Sequence, residues 1–351
     1  MMGFSNTIIN WYHINARILP WRKNNDPYLI WVSEIILQQT RVKQGLSYYL
    51  RFIEAYPTVE YLSEASEDQV LKLWQGLGYY SRARNMMKAA KQIIEIYDGV
   101  FPNNYDEIIK LKGVGPYTAA AIASFSYKLP YAVVDGNVFR VLARYYGINI
   151  PINSHQGKKV FSKLAQDVLN IHDPATHNQA IMEFGALHCK PANPKCSSCP
   201  LASSCLALEK KLVQKLPVKE KKIKVLPVYL HFFYISFQGQ IFIQKRDYSG
   251  IWKGLYQLPL IETREEKNVN DVLSLKEMAS IFGGNQFQLV NIYESVHKLT
   301  HRILHIRFYH MKLEKLAENP YLLIEKEKLS EYAFPQPIEK YLKSLITETN
   351  E

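Results

Sequence analysis

The spacing of apolar residues changes once along this chain, and that change restricts the folds open to it more than any other feature. Up to about residue 205, stretches such as YLIWVSEIILQQTRV, DQVLKLWQGL and NMMKAAKQIIEIY repeat apolar residues every three to four positions, the spacing of amphipathic helices. Beyond residue 227, VYLHFFYIS, QIFIQKR and ILHIRFYHM are short, rich in β-branched and aromatic residues, and partly alternating, which predicts strands. Between them, residues 206–227 hold seven Lys and two Glu together with Pro217 and Pro227, the composition of an exposed interdomain linker. The expectation is a helical domain over 1–205, a basic linker over 206–227 and a mixed α/β domain over 228–351. At 351 residues and 47% hydrophobic, the chain can bury two cores.

Charge narrows the partner. Lys and Arg number 43 against 32 Asp and Glu, a surplus of +11, of which 206–227 carries +5. An excess of this size fits a polyanionic partner, although a solvated basic surface would have the same composition. No stretch approaches the ~20 consecutive apolar residues of a membrane span. The N-terminal sequence has no basic segment leading into an apolar one, so no secretory signal is read there. The expectation is a soluble intracellular protein, cytoplasmic and nucleoid-associated if bacterial, acting as a monomer without a membrane partner.

All four cysteines, Cys189, Cys196, Cys199 and Cys205, fall within seventeen residues as C-x6-C-x2-C-x5-C. Four thiols in one loop point to a metal centre rather than to a disulfide framework. Structural zinc usually takes two close pairs separated by a longer spacer, whereas one compact nested run suits an iron–sulfur cluster, so a 4Fe-4S cluster is favoured.

Three positions in the helical region carry chemistry. In LKGVGPYTAAAI, Gly113 and Gly115 precede a helix of small residues and could turn backbone N–H groups toward a phosphate; an ordinary helix–helix turn has the same pattern. Asp135, in VVDGNVFRV, stands where a helix N-cap would also place an aspartate. Glu34 lies within LIWVSEIIL, on a helical face shared with Ile30, Leu37, Gln38 and Arg41, half apolar and half polar as at a pocket wall; a buried glutamate paired with an arginine is the alternative.

Read in order, LPWR, DPYLIWVSEIILQQTRV, LWQGLGYYSRARN, LKGVGPYTAAAI, VVDGNVFRVLAR and the cysteine run resemble the helix-hairpin-helix DNA glycosylases, and within them the MutY-type adenine DNA glycosylases. The resemblance covers residues 17–205. It implies an all-α glycosylase domain with a helix-hairpin-helix at about 105–125 and a 4Fe-4S loop at 189–205, bound to double-stranded DNA carrying adenine opposite 8-oxoguanine or guanine. Related enzymes with strand-cleaving activity carry a lysine two positions after the second hairpin glycine. Here Pro116 and Tyr117 follow Gly115, so a monofunctional glycosylase is expected. The resemblance gives Glu34 the role of acid and then base, and Asp135 that of an anion stabilising the sugar cation, with Tyr117 and Asn137 in support. Arg22, Leu37, Val42, Gln179 and Glu183 would line the adenine pocket. Gln39 and Tyr79 would fill the gap left by the flipped base, the alternative for Tyr79 being that it simply packs a helix terminus. Lys190 and Lys195 would meet phosphates.

Residues 228–345 resemble the Nudix-like C-terminal domain of the same family through RDYSGIWKGLYQLP, HKLTHRILH and YAFPQPIEKYL. The stretch LPLIETREEKNVNDVL lacks the full glutamate-rich helix of Nudix hydrolases, so no pyrophosphatase activity is expected. The family reads 8-oxoguanine with an H-x-F-S-H loop, here His297-Lys298-Leu299-Thr300-His301, in which Leu299, Thr300 and His301 would carry recognition and Leu299 forgoes the aromatic stack. His297, His301 and His305 recur every fourth residue, a metal spacing on a helix. The surrounding pattern predicts an extended segment instead, which would hold them too far apart to share an ion.

Overall fold

A computed structural model describes residues 2–220, 225–248, 250–283, 286–315 and 320–348. Their contacts divide the chain into Met1–Glu64 with Asn85–Lys221, and Ala65–Arg84 with Lys222–Glu351. The division departs from the sequence boundary at two places.

The first unit is helical. It holds α1 (Met2–Asn15), α2 (Pro27–Ile36), α3 (Val42–Ala55) and α4 (Val59–Glu64). After α5 (Glu67–Trp74), which belongs to the other unit, come α6 (Ser81–Tyr97), whose first four residues are also counted with the other unit, α7 (Tyr105–Ile108), α8 (Pro116–Tyr127), α9 (Gly136–Tyr145), α10 (His155–Asp167), α11 (Pro174–Leu187) and α12 (Leu206–Glu209). Local chemistry sets the starts of the helices that matter here. Asp26 caps α2 by accepting from Tyr28 N and Leu29 N, with Pro27 at the first position, and Asp135 caps α9 in the same way. The core gathers Phe4 and Ile8 from α1, Val138, Val141 and Leu142 from α9, Phe161 from α10 and Phe184 from α11. Leu201, within the cysteine loop, joins it, so the loop is anchored by its own apolar residue.

The supposed linker is largely not one. Ala207 and Leu216 are buried, Ile152 N donates to Val218 O at 3.0 Å, and Glu220 N donates to Asn153 Oδ1 at 2.8 Å. Its lysines masked an apolar periodicity, Leu206, Ala207, Leu212 and Leu216, that packs 206–220 onto the helical unit; 221–224 lie outside the described residues.

The second unit is built on a mixed sheet of β1 (Leu226–Phe237), β2 (Gln240–Lys245), β3 (Tyr256–Gln257), β4 (Leu260–Thr263), β5 (Phe287–Lys298), β6 (Arg302–Leu313) and β7 (Leu322–Glu325). The strands run in the order β3-β2-β1-β6-β5, with β4 on β1 and β7 on β2, and β1 pairs with β6 in parallel. Leu230, Phe232, Ile306 and Phe308 face α15 (Gln336–Glu348), while Phe233, Ile235, Tyr309 and Met311 face α13 (Val269–Leu273) and α14 (Glu277–Phe282). Burial on both faces explains why β1 and β6 read as nearly continuous apolar runs. The three histidines lie on a hairpin, not on one extended strand: His297 ends β5, His301 is in the turn and His305 is on β6. His305 pairs with Val296 and His297 with Leu304, so the two rings point to opposite faces. Among the described residues, no helix is long and apolar enough to cross a membrane.

Candidate active site

The nine residues expected to do chemistry or line the pocket converge on one cavity of about 430 Å³ in the helical unit: Glu34, Asp135, Tyr117, Asn137, Arg22, Leu37, Val42, Gln179 and Glu183. Helix α2 brings Glu34, with Leu37 at its C-terminal cap, α8 brings Tyr117, α9 brings Asn137 with Asp135 as its cap, and α11 brings Gln179 and Glu183.

Glu34 is 7% exposed. Burial raises its carboxyl to about 7 and the neighbouring Asp135 charge pushes the same way, while the hydrogen bond from Tyr117 Oη to Oε2 at 2.7 Å and the Arg22 charge pull against them. A carboxyl so placed carries a proton near neutral pH. The alternative, a glutamate simply paired with an arginine, does not hold for Glu34, whose hydrogen bond comes from a neutral phenol.

Asp135 is both a helix cap and a pocket carboxylate. It accepts from Asn137 N at 2.8 Å, Val138 N at 2.7 Å and Asn137 Nδ2 at 2.7 Å. Burial raises its pKa above the ordinary aspartate value, and these bonds and Arg140 oppose the rise without cancelling it. Arg140, which sequence reasoning missed, also fixes the orientation of Asn137: its Nη2 donates to Asn137 Oδ1 at 2.8 Å and to Gly185 O at 2.7 Å, turning the amide nitrogen to Asp135.

Glu183 is engaged differently from expectation. Burial alone would raise its pKa, but hydrogen bonds from Arg17 and Arg22 hold it at about 2. Four donors, Arg17 N, Nε and Nη2 and Arg22 Nη2, lie within 2.7–3.0 Å of its oxygens. A carboxylate has about four acceptor sites. Glu183 therefore orients two arginines on the pocket wall, and Arg17, unnoticed in the sequence, is one of them. Tyr12 Oη donates to Gln179 Oε1 at 2.6 Å, so the amide nitrogen of Gln179 is its remaining polar end.

The expected DNA-contacting residues lie on exposed turns. Gln39 follows α2 and Tyr79 precedes α6, and both hold left-handed backbone, φ +57° and +48°, costly for side chains of this kind. Tyr79 is 54% exposed, and its ring also lies against the start of α6, with the Arg82 guanidinium 5.7 Å from the ring centre. Gly113 has φ +80°, and a Cβ there would meet Asn85 Cβ at 2.6 Å, so the hairpin demands glycine at that position. Gly115 caps α8 and is open around its Cα. Lys190 and Lys195 are exposed.

The four cysteines face one recess with Arg144 and His188. Arg144 is the strut of this loop: Nε donates to Leu216 O at 3.0 Å, Nη1 to Lys190 O at 2.7 Å and Nη2 to Pro191 O at 3.0 Å, and Nη1 stands 3.5 Å from Cys189 Sγ. Burial raises the Cys199 thiol to about 11, and the other three cysteines act in the same direction, so all four sulfurs lie within electrostatic reach. Among the described residues, no three His, Cys, Asp or Glu side chains are placed to hold a single ion. Four thiols on one recess supply the donor set of a four-iron centre, which takes one thiolate per iron.

In the second unit, Leu299, Thr300 and His301 form the β5–β6 turn, closed by Leu299 N donating to Arg302 O at 2.8 Å. Thr300 and His301 are exposed. Leu299 is half-buried and packs on the sheet core, so it supports the turn and is not displayed on it.

Residues 32–167 match the HhH-GPD superfamily of base excision DNA repair proteins, and residues 231–344 match the NUDIX domain. The chain is 42% identical over 307 residues to an adenine DNA glycosylase of Buchnera aphidicola subsp. Baizongia pistaciae, covering 86% of this chain and 84% of that one. It is 36% identical over 348 residues to the adenine DNA glycosylase of the Acyrthosiphon pisum subspecies, with 97% of each chain covered. Among solved structures, a thermostable thymine-DNA glycosylase superposes with a TM-score of 0.55 at 31% identity, over 59% of this chain and 95% of that one. A non-covalent endonuclease III–DNA complex shares the fold, with a TM-score of 0.52 at 23% identity over 60% and 95%.

Proposed function

The chain belongs to the MutY-type adenine DNA glycosylases, and from that premise we propose that it excises adenine mispaired with 8-oxoguanine or guanine in duplex DNA, in base excision repair. The observation that carries this reading is the pairing, in one cavity, of a carboxyl held near pKa 7 with a second carboxyl that accepts three hydrogen bonds.

Breaking a purine N-glycosidic bond leaves positive charge on the sugar and an electron pair on the departing base, so acid and anion are needed at different places. Protonated Glu34 gives its proton to an adenine ring nitrogen as the bond breaks and the pair passes to the base. Asp135 then offsets the cationic sugar, whose charge favours the ionised aspartate that its three donors already solvate. Ionised Glu34 next takes a proton from the water that attacks the sugar carbon, which restores the starting state. Tyr117 holds Glu34 in place, and Asn137 holds Asp135. With Tyr117 where related lyases carry an amine, no Schiff base forms at this position and the enzyme is monofunctional. Arg22 and Gln179 offer donors to adenine ring acceptors, while Leu37 and Val42 provide apolar walls.

An extrahelical adenine leaves a gap in the stack, which Gln39 and Tyr79 fill. Thr300 and His301 read the opposite base. A 4Fe-4S cluster held by Cys189, Cys196, Cys199 and Cys205 would tie the loop that presents Lys190 and Lys195 to phosphates. A second reading, removal of thymine opposite guanine, draws support from the 31% identity to a thymine-DNA glycosylase.

Glu34→Gln and Asp135→Asn test the chemistry. Each is expected to lower single-turnover adenine excision by at least about a thousandfold, with duplex binding within a few-fold of the parent. Normal turnover in Glu34→Gln would refute the assignment.

A further inference from the structure

Residues 65–84 interrupt the helical domain in sequence, yet by their contacts they belong with the C-terminal unit. The reason is a set of polar contacts from α5 and its flanks. Asp68 accepts from Lys245 Nζ at 2.5 Å through Oδ1 and from Tyr256 Oη at 3.2 Å through Oδ2. One turn on, Lys72 Nζ donates to Tyr332 O at 2.9 Å. The loop before β3 lies close beneath: a Cβ on Gly254, φ +83°, would come within 3.0 Å of Leu71 Cδ1, and Arg84 donates to Lys253 O. Just beyond α5, Tyr79 turns its hydroxyl to Thr300 Oγ1 at 3.2 Å.

The residue proposed to enter the duplex and the turn proposed to read the opposite base are thus joined twice, directly at Tyr79–Thr300 and through the α5 contacts. We infer that Asp68, gripped by Lys245 and Tyr256, is a positioning residue that fixes Tyr79 against the β5–β6 turn, so that recognition of the opposite base and insertion of the wedge act together. This rests on the reading of Tyr79 and Thr300 given above. Lys245 and Asp68 are 40% and 47% exposed, and ion pairs so exposed stabilise little. Their removal should leave the fold intact. Small misplacements of a group that must meet its target in register are costly to rate, by up to about a hundredfold for 1 Å.

The test is single-turnover excision by the full-length protein on duplexes with adenine opposite 8-oxoguanine and opposite cytosine, with 2-aminopurine beside the insertion step reporting unstacking. Asp68→Ala is expected to lower the ratio of the two rates about tenfold, through the 8-oxoguanine duplex, with reduced 2-aminopurine fluorescence and an unchanged melting temperature. Lys245→Ala should do the same, the double variant should add nothing further, and Asp68→Glu should recover most of the ratio. A merely structural Asp68 would slow both duplexes equally, which would overturn the inference. Thr300→Ala separates the two layers. If it collapses the ratio while Asp68→Ala does not, the positioning role is wrong and the reading of the turn stands; if it too leaves the ratio unchanged, that reading fails and the inference with it.

Discussion

A single carboxyl decides the direction of the pH dependence. Glu34 must enter the reaction protonated, and burial holds its pKa at about 7. The folded pKa lies above the usual carboxylate value, so folding favours the protonated form; that preference is fully present at low pH and lost as pH rises through about 7. Excision under single-turnover conditions should therefore fall above pH about 7, approaching tenfold per unit, and a rate that stays flat to about pH 9 would contradict the acid role. The same burial makes the ionised residue a liability. Above that pH, Glu34→Gln should gain stability, up to about 3 kcal/mol, visible as a raised melting temperature of an inactive variant. Glu34 could be singled out in the sequence because a carboxylate amid LIWVSEIIL breaks an apolar pattern. Arg17 could not, because only the fold brings it to Glu183, 166 residues away; Arg140 stands three residues after Asn137 on α9, a spacing that puts the two side chains together on any helix and does not by itself mark a site.

At the scale of elements, the pocket depends on how tightly α9 and α11 pack. Gly185 on α11 lies so close to α9 that a Cβ would meet Asn137 Cβ at 2.6 Å. Gly185→Ala should push the helices apart, costing about 1–3 kcal/mol as for other overpacked interiors. It should slow excision more than it weakens duplex binding, because Asn137 and Glu183 shift together. Equal stability and activity in the alanine variant would show that the close approach is not needed. The sequence marked the helices through their periodicity and caps, and the hairpin through Gly113 and Gly115. Gly185 was silent, since a helical glycine looks the same whether or not a neighbour presses on it. The strands of the second unit were equally legible, but a four-residue histidine repeat could not reveal that a turn folds it back on itself.

For the whole molecule, the sequence boundary followed charge, whereas the structure follows buried apolar residues. Seven lysines made 206–227 look like a free linker, yet Ala207 and Leu216 fasten its first part to the helical unit. Residues 65–84 read as one more helical stretch, yet they side with the C-terminal unit through Asp68, Lys72 and Arg84, contacts between residues 169 to 260 positions apart that no local pattern encodes. The surplus of +11 remains the basis for expecting a duplex as partner. The central claim, that the cavity built around Glu34 and Asp135 takes adenine from a mispair, is tested most directly by single-turnover excision on four duplexes: adenine opposite 8-oxoguanine, guanine and cytosine, and thymine opposite guanine. The account predicts release of adenine opposite 8-oxoguanine and guanine, far slower release opposite cytosine, and retention of the thymine; efficient release of that thymine, with adenine left in place, would contradict it.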